Sequence, residues 1–240
     1  MANRNQKITI IVIILIILAI GSWWWQKGEQ LVIIAPGLNL LDEKKNLVFS
    51  EQTNLADEVR LEYEKRVSQT LASLNQGGDQ DFLVANYNNL AIYYSYLGNY
   101  QQAFQAYQNS LKQISDSRLT LLAFGDLLTK MKAYLTAEFV YQKTLQLNPY
   151  EAAGYIKLVN LYKISNNQNK IAEVYKTGLE QTGKNVEGNT LLLDDYAEWL
   201  VSLKDYEQAI VIYQKLKELQ PDNQVALERK IEQIKKKRGH

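Results

Sequence analysis

The side chains whose types could do chemistry are few: the adjacent acids Asp194-Asp195, the single histidine His240 at the very end, and the basic run Lys235-Lys236-Lys237-Arg238. Two carboxylates act as general acid and base only when both face one substrate. Neighbours on a helix point about 100° apart, so Asp194 and Asp195 read as a solvated face. Cysteine is absent and the one histidine is terminal, so a thiolate nucleophile, a His/Cys metal site and a histidine-based triad each lack their members. No Gly-x-Gly-x-x-Gly or phosphate-binding loop occurs. The basic run reads as a frayed, solvated helix end, with lipid or nucleic-acid contact as the alternative. The chain is therefore expected to be no enzyme and to carry no cofactor and no metal.

With 27 Lys+Arg against 26 Asp+Glu in 240 residues, the net charge supplies no general attraction for nucleic acid or acidic partners. Only 3 Pro and 12 Gly interrupt a sequence rich in Leu, Ala, Gln, Lys and Glu, which predicts an all-α fold. Lack of cysteine fixes no compartment.

The elements that must position any site begin with an apolar segment. Residues 1–7 are a short flank, and from Ile8 to Trp25 no residue is charged. A helix over 8–25 would span roughly 27 Å, close to the hydrocarbon thickness of a bilayer. Trp23, Trp24 and Trp25 stand where an interfacial aromatic belt belongs. The run exceeds the usual signal-peptide core and ends in bulky rings, which favours a retained single-pass anchor over cleavage at Ala19-Ile20-Gly21. Arg4 and Lys7 precede it, while Lys27 is followed by Glu29, so the positive-inside rule places the N terminus in the cytoplasm and the rest outside.

Residues 26–50 read as a linker, with short β-prone runs at Leu31–Ile34 and Leu47–Phe49 around Pro36-Gly37. Over 51–76 the spacing of Leu55, Val59, Tyr63, Val67, Leu71 and Leu74 predicts one connecting helix ending at Gly77-Gly78.

Self-comparison of the remainder finds a repeat. Tyr107, Tyr141 and Tyr175 are 34 residues apart, as are Leu111, Leu145 and Leu179, and Ala103, Ala137 and Ile171. A fourth copy, with Ala209 and Tyr213, follows at 38, after a longer loop over 183–189. Tyr87, Leu90-Ala91, Tyr94, Gly98-Asn99-Tyr100, Ala103 and Tyr107 make up the first copy; Phe124-Gly125, Tyr134, Ala137, Tyr141 and Pro149 the second; Tyr155, Leu158, Tyr162 and Tyr175 the third; Ala197, Asp205-Tyr206, Ala209, Tyr213 and Pro221 the fourth. This pattern resembles the tetratricopeptide repeat family, here as a membrane-anchored member. The resemblance spans 84–223, as copies 84–117, 118–151, 152–185 and 190–223. It implies a solenoid of about four helical hairpins, with the small residue where two helices cross and Ile171 as a site of looser packing. Residues 224–240 complete it as a capping helix with a basic tail: Leu227, Ile231 and Ile234 face inward and charges stay in water.

In that family the first helices of successive hairpins line a groove that receives a peptide or helix of a protein partner. By repeat position the resemblance puts Asn88, Ile92, Tyr96, Asp126, Lys130, Asn160, Lys163, Asp194 and Glu198 along it. The positions that hold a peptide's terminal carboxylate in chaperone-binding members are Asn88, Ile92, Ala123, Ala153 and Lys157, so most of that clamp is missing. The function expected is a membrane-tethered scaffold for protein–protein interaction, in assembly or quality control of a membrane complex. A homo-oligomeric structural element is the alternative.

Overall fold

A computed structural model describes residues 40–42, 46–183 and 186–239. The expected flank, membrane span and first part of the linker lie outside these residues. Among the described residues no helix is long and apolar enough to cross a membrane.

Ten α-helices and two 3-10 turns, and no strand, make up the described chain. The first, α1 (Asp57–Asn75), leads into four hairpins: α2 (Gln80–Tyr96) with α3 (Tyr100–Gln113), α4 (Arg118–Lys130) with α5 (Tyr134–Leu147), α6 (Ala152–Ile164) with α7 (Ile171–Thr182), and α8 (Val186–Ser202) with α9 (Tyr206–Leu219). The last helix, α10 (Gln224–Arg238), packs on α9. Each hairpin lies against the next, and the first helices α4, α6 and α8 also touch in sequence. One hairpin cannot cover its own apolar face, so burial here is shared between neighbours. Phe124 of the second hairpin, for example, packs on Phe104 and Tyr107 of the first, with ring centroids 5.2 and 5.7 Å apart.

Hairpin turns recur at one repeat position. Gly98, Lys132, Asn166 and Lys204 all have φ between 60° and 76°, the left-handed conformation that closes each first helix. Ala103, Ala137, Ile171 and Ala209 are all fully buried where the two helices cross. At Ile171, the one large residue of this set, residues 168–170 form a 3-10 turn in place of the first α-helical turn seen in α3, α5 and α9. Gly125 has a comparable reason, since a Cβ there would stand 2.3 Å from the Tyr141 ring.

Four expectations need correction, the last of them at the C-terminal end. The residues described between 40 and 50 are not a free tether but an extended strap across the tips of the first two hairpins. Val48 N donates to Met131 O at 2.9 Å, Glu51 N to Gly98 O at 3.0 Å, and Gln101 N to Phe49 O at 3.0 Å. The expected loop over 183–189 is shorter, because α8 already begins at Val186, and Asn189 is buried within it. Third, the connecting helix expected over 51–76 begins only at Asp57, and its stripe is partly covered: Val67 is buried but Val59 and Leu71 stay 44% and 40% exposed. Among the helices, α1 packs chiefly on α2, where Tyr63 stacks on Tyr96 at 4.9 Å.

At the other end Leu227, Ile231 and Ile234 of α10 are buried against Leu193, Leu200, Tyr213 and Leu216. The basic tail is helical through Arg238 and not frayed. Lys235 pairs with Glu232 and Arg238 with Glu207, each at 2.7 Å.

Candidate functional site

Side-chain bonds run from one first helix to the next. Between α2 and α4, Asn88 Nδ2 donates to Thr120 Oγ1 at 2.9 Å and Lys130 Nζ reaches Ser95 Oγ at 3.3 Å. From α4 to α6, Lys157 Nζ donates to Asp126 Oδ2 at 2.7 Å. From α8 to α10, Lys230 Nζ binds Asp194 and Glu198, both at 3.0 Å. The expected groove residues Asn88, Asp126 and Lys130 are thus joined by links between neighbouring first helices, and Asp194 and Glu198 are held by Lys230 of the last helix.

A second set of bonds ties this face to the second helices. Tyr141 on α5 donates to Asp126 at 2.8 Å, and Tyr213 on α9 to Glu198 at 2.7 Å, each tyrosine lying 15 residues after its acid. Asn160 occupies the equivalent position of the third hairpin. Tyr175 there donates instead to Asp195 of the next hairpin at 2.6 Å. Asp194 and Asp195 accordingly serve separate partners and form no catalytic pair.

Electrostatics follow these contacts. Burial, reinforced by the neighbouring acid, raises the pKa of the Tyr141, Tyr175 and Tyr213 hydroxyls far above 10, so they remain donors. For Glu198, burial alone would raise the pKa, but hydrogen bonds from Tyr213 and Lys230 outweigh it and hold the carboxyl below the ordinary value. Lys230 loses some charge stability to burial and regains more from Glu198 and Asp194, so its pKa is raised.

The remaining expected residues differ in character. Asn160 and Lys163 are exposed. Ile92 and Tyr96 are 36% and 49% exposed, with Lys130 Nζ 5.8 Å from the Tyr96 ring. Sequence reasoning missed the large apolar side chains on the same first helices: Leu119, Ile164 and Leu191 are 78%, 59% and 55% exposed. Their signal was present, since Leu119 and Leu191 share one repeat position and Tyr96 and Ile164 another. It also missed Lys230, 32 residues from Glu198, one more than the 31 between Asp126 and Lys157. Lys157 was assigned to an incomplete carboxylate clamp, yet Asp126 already holds it. Among the described residues no group of three or more His, Cys, Asp or Glu could hold a metal.

The hairpins, the left-handed turns and the first-helix face define an all-helical solenoid of stacked hairpin repeats. The profile of the tetratricopeptide repeat family matches residues 84–116 and 196–223, which are the first hairpin and most of the fourth. No curated protein sequence matches the chain. Among solved structures, a crystal structure of MamA is similar with a TM-score of 0.50 and 14% identity, over 71% of this chain and 97% of that one. MamA 41-end from Desulfovibrio magneticus RS-1 is similar with a TM-score of 0.44 and 18% identity, over 67% and 96%. The TPR2AB-domain:pHSP90 complex of yeast Sti1 gives 0.38 and 15%, over 77% and 82%. At 14% identity the likeness to that MamA crystal structure is one of fold.

Proposed function

We propose that the protein is a membrane-tethered scaffold whose first-helix face holds a peptide or helix of a partner protein, in the assembly or quality control of a membrane complex. One observation carries the reading. The charges of this face are largely satisfied within the chain, by Lys157 on Asp126 and Lys230 on Asp194 and Glu198, while Ile92, Tyr96, Leu119, Ile164 and Leu191 stand exposed on successive first helices. Exposed apolar side chains grouped on one face of a soluble stack mark an interaction surface. Such a face selects the apolar side of a partner segment, and the links between helices keep it in place before binding. The absence of cysteine and of any internal histidine supports a non-catalytic role. The tether is the apolar run 8–25, and Arg4 and Lys7 favour a cytoplasmic N terminus.

A photo-crosslinking amino acid at Leu119 or Ile164 of the full-length chain in native membranes tests this. A discrete partner adduct is expected from both positions and none from exposed Gln146 on α5. Equal adducts from all three, or none at all, would overturn the reading. An adduct of twice the chain mass from the first-helix positions would make the partner a second copy.

A further inference from the structure

We propose that residues 40–42 and 46–51 are a releasable strap which holds the tips of the first two hairpins and sets the order of that end of the stack separately from hairpins 3 and 4. The four second helices share an N-cap position, occupied by Asn99, Ala133, Asn167 and Asp205. Of these, Asp205 caps its own helix, accepting from Gln208 N at 3.3 Å, whereas Asn99 and Ala133 make no side-chain cap. The strap supplies what those two lack. Asp42 accepts from Leu135 N and Thr136 N at 3.0 Å each and from the Thr136 hydroxyl at 2.7 Å, so a carboxylate over 90 residues upstream caps α5. Phe49 O does the same for α3 through Gln101 N.

The strap also takes the carbonyls that end the first helices. Val48 N and Glu51 N, three residues apart, bind Met131 O and Gly98 O, which pins the two tips at the spacing of one short extended segment. Tyr100 OH closes on Glu51 Oε2 at 2.5 Å. Gly98 is where side-chain loss matters, because a Cβ there would lie 1.9 Å from Glu51 O. Tyr96 and Lys130, at the ends of α2 and α4, sit directly before these pinned turns, so the strap sets the geometry of that end of the binding face.

Yet none of the described strap residues is buried. Leu41, Asn46, Ser50 and Glu51 are exposed and the others half-buried, and hydrogen bonds within reach of water open at lower free energy than the helices they cap. Hairpins 3 and 4 do not depend on the strap: α9 has Asp205, and the strap's hydrogen bonds reach only the first two tips.

Amide hydrogen exchange on the full-length chain in detergent tests the proposal. Asp42→Ala should speed exchange about tenfold or more over 131–137, and Gly98→Ala should do so over 98–104, while 205–234 stays at the wild-type rate. Asp42→Asn, which keeps one acceptor oxygen and replaces the other with an N–H2 donor, should show the same acceleration at smaller size, confined to 133–137. Unchanged exchange at both tips would show that the strap holds nothing. Equal acceleration over 205–234 would show a single cooperative unit and equally overturn the proposal.

Discussion

The Tyr175 hydroxyl donates to the Asp195 carboxylate at 2.6 Å, so the second helix of the third hairpin is tied to the first helix of the fourth. In the second and fourth hairpins the equivalent tyrosine binds an acid of its own hairpin; here Asn160 stands in that place and the bond passes to the next repeat. Tyr175→Phe leaves Asp195 without this donor, at a cost of about 1.5 kcal/mol. For a unit of this size that is about 5 °C in Tm, measured by circular dichroism. Asn160→Asp in the Tyr175→Phe background should recover none of it. An unchanged Tm in Tyr175→Phe would show that the bond contributes nothing.

Ala137 is fully buried at the crossing of α4 and α5. Ala137→Leu forces extra methylenes between packed helices and should cost about 1–3 kcal/mol, whereas Gln146→Leu, on an exposed stretch of α5, should stay within about 0.5 kcal/mol of wild type. Urea unfolding of the two variants measures the difference, and equal midpoints would remove the assigned register.

Lys204 adopts φ 62° at the turn between α8 and α9, a conformation that costs a residue with a Cβ about 1 kcal/mol. Lys204→Gly should therefore stabilise the chain, by less than that amount because glycine also gains freedom when unfolded. Gly98→Ala, at the equivalent turn, should destabilise through both its φ of 76° and the clash with Glu51 O. Opposite signs in the two melting shifts are the expected result.

Glu198 has a depressed pKa in the folded protein, so its contribution to stability is complete above the ordinary carboxylate value and is lost as pH falls through the folded one. The urea midpoint should drop between about pH 5 and pH 3, and Glu198→Gln should flatten that drop. Tyr100 behaves in the opposite sense. Burial, with the Glu51 hydrogen bond, pushes it up to about 12, so its contribution is complete below pH 10 and lost as pH rises toward 12. Absorbance at 295 nm should show Tyr100 titrating late, and Tyr100→Phe should remove that component.

Glu180 lies exposed near the end of α7, and the chain has no native cysteine. In Glu180→Cys the only thiol should react with a membrane-impermeant maleimide on intact cells if Arg4 and Lys7 hold the N terminus inside. Protection until the membrane is permeabilised would reverse that orientation. Asn99, though in a hairpin turn, is a poorer site for the label, since its helix end carries the strap.

The period of 34 residues, read from tyrosines and small residues alone, determined that the chain forms helical hairpins, where the helices cross and that α10 caps the stack. Those properties are local or repeat from one copy to the next, so each copy reinforces the signal of the others. The charged groove residues were legible as positions but not in their state. Whether Asp126 or Glu198 offers a free carboxylate depends on Lys157 and Lys230, one helix further along, and on how far successive hairpins rotate. Tertiary structure alone decided where residues 40–42 and 46–51 bind. The Asp42 carboxylate caps a helix over 90 residues away, and Phe49 O, Val48 N and Glu51 N bind through backbone groups that every residue possesses, so no pattern of side-chain types records which partner each will find.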